Sequence, residues 1–352
     1  MSSQGEFHSY AALKPGADIV EFNYKPLLLG DDQIEIDIEA CGVCHTDLHQ
    51  KDNDWGLSNY PLVPGHEIIR RIVDKGRKVS ELNVGQRVGV GPQIQCYNSK
   101  TENPDQPFTY GGFSDRIRCP AEWSFAIPDD LETVNAAPLL CAGQTTWAPF
   151  MRHGLKRGDA IGIIGIGGLG HIAIQFASAL GYGTTAISTS PSKKDEATRL
   201  GAHQFLNIND LEEVKARVGT FDFLLATISA NIDWTLYLTL LKPEGKLCLV
   251  GVPKKVEFNP FLVVMKQLTF VGSLLAPKSE IERMLKFAAD HKIQAITEVL
   301  PMNAKNCNEA MSRLAKNTIL KMQRPFIIVS EFYLITDLML FPLFKTALLN
   351  VC

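Results

Sequence analysis

The sequence lacks most features that would place it in a specialised class. It has no excess charge of one sign: 35 Lys and Arg stand against 38 Asp and Glu in 352 residues, a net charge of −3. Neither a nucleic-acid footprint nor a polyanionic tail fits that balance. It is poor in cysteine, with 8 irregularly spaced residues, too few for a disulfide scaffold. Its start, Met1 to Glu6, has no basic end followed by an apolar core, so no secretory leader is expected. The most apolar stretch, Phe332 to Cys352, is interrupted by Asp337, Pro342 and Lys345 and falls short of a spanning helix. Membrane contact is therefore not expected. Repeats and low-complexity segments are absent as well. What remains is the balance of an ordinary globular protein, 45% hydrophobic and 21% charged, long enough for two domains. The expected compartment is a reducing cytoplasm, where clustered Cys and His suggest metal or catalysis before disulfides.

The hydrophobic pattern changes character along the chain. Up to about residue 130 it reads as short strands and turns, among them Val20–Tyr24, Gln33–Ala40, Val84–Gly91 and Phe113–Arg118, punctuated by Gly and Pro. Beyond Gly158 strands and helices alternate. Ala160–Ile164, Thr184–Ser188, Phe221–Ala226, Leu247–Val252 and Leu268–Ser273 read as strands, with helical runs at Leu169–Leu180 and Lys193–Leu200. Ile281–His291 and Ala304–Ala315 read as later helices. The fold class is α/β: a doubly wound parallel sheet joined to an irregular β-rich domain.

Gly165-Ile166-Gly167-Gly168-Leu169-Gly170 matches G-x-G-x-x-G, directly after an apolar strand and at the opening of a helix. That context separates a dinucleotide-binding loop from a bare tight turn. Gly165 permits the turn, Gly167 lets the backbone approach a pyrophosphate, and Gly170 allows close helix–strand packing. The helix N-terminus offers free N–H groups to the phosphates. About 20 residues on, an NAD site usually carries an acid for the ribose 2′-hydroxyl. Here the chain reads Ser188-Thr189-Ser190-Pro191-Ser192-Lys193-Lys194, with no acid before Asp195. Hydroxyls and lysine suit a 2′-phosphate, so NADP(H) is preferred over NAD, although lysines at a helix start also serve simply to solvate it.

Thiolate and imidazole donors are spread along the first half: Cys41 and Cys44 to His49, then His66-Glu67, then Cys141. A Cys₂His zinc site with an open fourth position is available from such donors. Spacing alone does not select its members from eight Cys and eight His. A free Cys is more often an inert core residue.

Taken in order, Cys44-His45-Thr46-Asp47, Gly65-His66-Glu67, Cys141-Ala142-Gly143 and the glycine motif resemble the zinc-dependent medium-chain alcohol dehydrogenases. The NADP-dependent cinnamyl alcohol dehydrogenase branch looks most similar, and the resemblance runs from about His8 to Val329. It implies a GroES-like catalytic domain over 1–148, a Rossmann NADP-binding domain over 149–290 and a return to the catalytic domain over 291–330. Residues 331–352 form an apolar tail without a counterpart. It implies Cys44, His66 and Cys141 as catalytic zinc ligands, Glu67 as an exchangeable ligand and Asp47 as the carboxylate orienting His66. Thr46 is implied as the hydroxyl contacting substrate oxygen and His49 as the proton relay. Thr145, Thr227, Gly251, Ser273, Leu274 and Leu275 are implied cofactor contacts, and Trp55 is either a pocket wall or a core residue. The implied activity is hydride transfer between NADP(H) and an alcohol/aldehyde pair, aromatic or allylic, in a homodimer.

Three departures from the family stand out. The lobe that binds a structural zinc with four cysteines should follow Gly89-Val90-Gly91-Pro92, but Gln93 to Asn98 runs almost directly to Tyr110-Gly111-Gly112. Only Cys96 remains there, so no structural zinc is expected. Arg70-Arg71 follow His66-Glu67-Ile68-Ile69 where relatives have a small residue, and a buried unpaired guanidinium would be costly. The tail is the third. These departures keep two other readings open: a nucleotide-binding or interaction protein without turnover, and a zinc-free quinone or enone reductase.

Overall fold

The computed structural model describes residues 5–92 and 108–316, and the backbone of the strand Phe326–Val329. Cys96 and the apolar tail lie outside the described residues. The described chain falls into two compact units, one made of residues 5–141, 297–316 and 326–329, the other of residues 142–296.

The first unit is built on one long strand, Gln33–Val43. Ile34, Ile36 and Ile38 alternate into its core and are fully buried, as period-two patterning requires; past an irregularity between Ile38 and Ala40 the core positions become Cys41 and Val43. The strand pairs antiparallel with Glu67–Lys75, Arg116–Pro120 and Phe326–Val329. Arg87–Val90 and Ser124–Ala126 extend the sheet beyond Glu67–Lys75. The helix Ala304–Ala315 buries Cys307, Ala310, Met311 and Leu314, a three-to-four spacing, in the same core. The first strand, Phe7–Ala12, lies outside the strands that the sequence pattern indicates and pairs with Ile19–Tyr24.

Arg70 and Arg71 do lie on an internal strand, between Gln33–Val43 and Arg87–Val90. Neither guanidinium is left bare. Arg70 reaches Asp37 at 3.5 Å, and Arg71 donates to the Gly85 carbonyl at 2.8 Å. The same sheet carries a buried ion pair. Glu35 is 2% exposed and accepts from Arg118 Nε at 2.8 Å and from Arg116 at 3.3 Å.

The second unit is a six-stranded sheet in which every pairing is parallel. Its spatial order is Gln204–Asn207, Gly183–Ser188, Ala160–Ile164, Phe221–Ala226, Leu241–Leu249, Thr269–Gly272. In chain order that is 3-2-1-4-5-6, the doubly wound arrangement with its switch point between the first and fourth strands. Sequence patterning found five of the six. Gln204–Asn207 is short and Gln204 at its start is exposed, so it carries little apolar signal. The fifth strand begins at Leu241, six residues earlier than the pattern indicated, because the exposed Pro243-Glu244 turn hides its first part. Glu244 there has φ 61°, a conformation that interrupts regular alternation. The helix Gly170–Ala179 leaves the first strand and buries Ile172, Ala173, Ile174, Phe176 and Ala177. Among the described residues, no helix is long and apolar enough to cross a membrane.

Removing Arg118 leaves the buried Glu35 carboxylate with only the longer contact to Arg116, at 3.3 Å, and an under-satisfied buried charge costs more than the pair contributes. Arg118→Met is expected to lower stability by about 2 kcal/mol in urea unfolding. A Glu35→Leu/Arg118→Met double variant should lose less than the single one; an equal or larger loss would contradict the assignment.

Candidate active site

The site is assembled from three backbone segments of the first unit. Cys44 follows the long strand and caps the helix His45–Asp52, its Sγ accepting from the Thr46 N–H at 3.2 Å. Asp47 answers from the third helical position: its Oδ2 accepts from the Cys44 N–H at 3.0 Å. This reciprocal cap satisfies helix donors that would otherwise be orphaned. The other oxygen, Oδ1, accepts from the Gly65 N–H at 2.8 Å and from His66 Nδ1 at 2.9 Å. Asp47 is fully buried, and burial alone would raise its pKa, but His66 and the two N–H groups outweigh that and hold it low. With Nδ1 directed at Asp47, His66 presents Nε2 outward, 3.1 Å from Cys44 Sγ.

Cys141 arrives from elsewhere in the chain, on the π-helical turn Leu139–Gly143 that follows the helix Thr133–Pro138. Such turns are often found at functional sites. The ligand atoms of Cys44, His66, Glu67 and Cys141 all lie within 4.8 Å of one another. Glu67 Oε1 is 3.9 Å from His66 Nε2, and Oε2 is buried with no hydrogen-bond partner. The hydrogen bond between the two thiols pulls the Cys44 pKa well down and holds Cys141 well up. Burial raises Glu67 well above the carboxylate range, with the Cys44 charge adding to it. Burial would lower His66, but the charges of Asp47 and Cys44 outweigh it and raise it. Two half-buried thiol sulfurs, one buried imidazole nitrogen and a buried carboxylate, crowded together, form a donor set suited to a zinc-like cation.

Thr46 is half-buried on the first turn of the Cys44 helix. His49 lies one turn further on, and its Nδ1 is 2.7 Å from Asp54 Oδ2. Asp54 was not singled out from sequence. Its approach depends on Asn53, whose φ of 58° turns the chain back at the helix end. The signal was an Asn-Asp pair after a helix. Trp55 is 47% exposed, with its ring 5.2 Å from that of His49, so it is not a core residue.

The second unit carries the glycine loop at the C-terminal end of its first strand. Gly165 has φ +91°, and a Cβ on Gly170 would stand 2.0 Å from the Gly165 carbonyl oxygen, so neither position admits a side chain. Thr227 Oγ1 donates to Ile164 O at 2.9 Å, bracing the turn from the fourth strand. A Cβ on Gly251 would stand 2.2 Å from Ile228 O. Lys193 reaches back to donate to Ile166 O at 2.6 Å, and burial lowers its pKa. The Ser190 and Ser192 hydroxyls are 2.9 Å apart, and the Ser188 hydroxyl accepts from the Ser190 N–H. The Thr189 carbonyl accepts from Asn209 at 3.1 Å. Hydroxyls and an ammonium thus gather beside the loop, a set that fits a 2′-phosphate. Ser273 and Leu275 are tied together by Arg152, which donates to the Ser273 hydroxyl and the Leu275 carbonyl. Leu274 is exposed, and Thr145 is half-buried on the helix Gln144–Arg152.

His171 was not singled out either. It is 2% exposed, its Nδ1 donates to Gly167 O at 2.9 Å, and its Nε2 accepts from the Ile296 N–H at 3.1 Å. One donor and one acceptor use up the neutral ring.

A family model described as zinc-binding dehydrogenase matches residues 168–290, and one described as alcohol dehydrogenase GroES-like domain matches residues 30–129. A probable mannitol dehydrogenase of Fragaria ananassa is 39% identical over 331 residues, 87% of this chain and 91% of the relative. Among solved structures, a cinnamyl alcohol dehydrogenase of Sorghum bicolor superposes with TM-score 0.84 at 33% identity, covering 92% of this chain and 98% of that one. The Helicobacter pylori enzyme described as a CAD complexed with NADP(H) superposes with TM-score 0.81 at 26% identity, over the same shares.

Burial lowers the His171 pKa to about 4. That lies below the value of about 6.5 for an exposed His, so protons bind more tightly to the unfolded chain. The contribution is complete above pH 6.5 and is lost as pH falls towards 4, on the order of 3 kcal/mol in all. The stability difference between the native chain and His171→Gln should therefore shrink over that window in urea titrations. A difference independent of pH would contradict a neutral buried ring.

Proposed function

Because the chain belongs to the zinc-type medium-chain alcohol dehydrogenases, in their cinnamyl-alcohol-dehydrogenase-like branch, we propose that it interconverts an aldehyde and an alcohol with NADP(H), and that one zinc per chain sits among Cys44, His66, Glu67 and Cys141. The convergence of those four donors around an Asp47-oriented imidazole is the observation that carries the reading. When bound, such a metal supplies a Lewis acid at the substrate oxygen, and the nicotinamide supplies or accepts the hydride.

The chain's own residues do the rest. The Thr46 hydroxyl contacts the reacting oxygen and hands its proton towards His49. Asp54, 2.7 Å from His49 Nδ1, orients the ring that passes the proton on to solvent. Ser190, Ser192 and Lys193 hold the 2′-phosphate, and the N–H groups opening the helix Gly170–Ala179 face the pyrophosphate. The exposed ring of Trp55 beside His49 favours a flat aromatic or allylic substrate. The donor set is complete, which speaks against a zinc-free enone reductase, and an interaction protein without turnover would need neither it nor the His49–Asp54 pair. No second metal site is part of this reading, since Cys96 alone cannot close one. A homodimer fits the exposed Phe261, Val264, Met265 and Leu274 near the edge strand Thr269–Gly272; sedimentation velocity reads the mass.

The test is NADPH oxidation by purified protein across cinnamaldehyde, benzaldehyde and open-chain sugar aldehydes. Turnover is expected with the aromatic and allylic members, with NADH much poorer. Asp47→Ala should lower metal affinity about 10- to 100-fold in a chelator titration. A chain that carries zinc yet oxidises NADPH with none of the aldehydes would refute the assigned activity.

A further inference from the structure

Gly42 and Glu67 face each other directly across the antiparallel pair Gln33–Val43 and Glu67–Lys75. A Cβ built on Gly42 would lie 1.7 Å from Glu67 Oε2, 2.7 Å from its Cδ and 2.9 Å from its Cβ. Gly42 is not among the positive-φ glycines, so backbone conformation does not demand glycine here. Space does. The carboxylate lies where any other residue at 42 would place its first side-chain atom. The oxygen that would meet that Cβ, Oε2, is buried and makes no hydrogen bond of its own. Steric room on the facing strand is what admits Glu67 to the donor set.

We propose that Gly42 is a positioning residue for Glu67: the Cβ it lacks is the space that lets the carboxylate join Cys44, His66 and Cys141 around the metal. This rests on the reading of that cluster as a metal centre. An overlap of this size is far beyond what bond angles absorb. Turning the Glu67 side chain relieves the two closest overlaps, with Oε2 and Cδ, and a small shift between the strands relieves the 2.9 Å approach of its Cβ, so the strand ladder stays intact. Alanine at 42 therefore removes Glu67 from the ligand set without touching a ligand.

The experiment follows zinc release to a chelating dye from four holo-proteins: native, Gly42→Ala, Glu67→Gly and the double variant. Cobalt(II) absorption spectra report the coordination of each. Glycine at 67 removes all three overlapping atoms. Gly42→Ala and Glu67→Gly should each speed release about tenfold or more and share one altered cobalt spectrum. The double variant should release no faster than Glu67→Gly alone, because the two changes act on one interaction. If Gly42→Ala fails to fold, folding of the double variant supports the proposal, and its failure overturns it. Native release rates in Gly42→Ala or in Glu67→Gly, or effects that multiply in the double variant, overturn it too. A native chain that holds no zinc refutes the metal-centre reading itself, a distinct result.

Discussion

The Asp47 carboxylate is the interaction on which the site depends. Its two oxygens accept from the Cys44 N–H, the Gly65 N–H and His66 Nδ1. A helix cap, the approach to a strand and the orientation of an imidazole are thereby one event. Buried charge of this kind is costly unless its lone pairs are filled, and here three donors fill them. Cys44 and His66, 22 residues apart in sequence, are brought to 3.1 Å as a result. Remove the carboxylate and the Cys44 cap loosens, Gly65 loses an acceptor, and the ring is free to choose either tautomer.

Close approach is the second constraint, and glycine meets it at different levels. Gly65 has φ +102° and would place a Cβ 2.7 Å from Cys41 Sγ, so the turn into His66 admits no side chain. Gly170 does the same for the dinucleotide loop. Gly42 keeps an ordinary backbone and leaves room for another residue's carboxylate. The sheet that supports the site tolerates unusual charge because it is paired: Glu35 with Arg118 and Arg116, Asp37 with Arg70. The departure at Arg70-Arg71 is accommodated by Asp37 on the adjoining strand for Arg70 and by the Gly85 carbonyl for Arg71.

The parallel sheet was legible in the sequence because buried parallel strands read as continuous apolar runs and a strand–Gly-rich turn–helix is a local signal. Ala160–Ile164 and Phe221–Ala226 have the bounds that pattern indicates. Short, exposed Gln204–Asn207 left no such trace. The ligand set was legible only through resemblance. Cys141 lies 75 residues beyond His66, and no periodicity connects them. Asp54, His171 and Gly42 escaped for a common reason. Each acts through one contact, made by a left-handed turn, a loop 125 residues distant or a facing strand, and such contacts have no period to read.

The central claim is that Cys44, His66, Glu67 and Cys141 hold one metal together. X-ray absorption at the zinc edge of the purified native chain tests it most directly. Two sulfur neighbours at about 2.3 Å and two nitrogen or oxygen neighbours at about 2.0–2.2 Å are the predicted shell. A shell of four sulfurs, or one with no sulfur at all, would contradict the account.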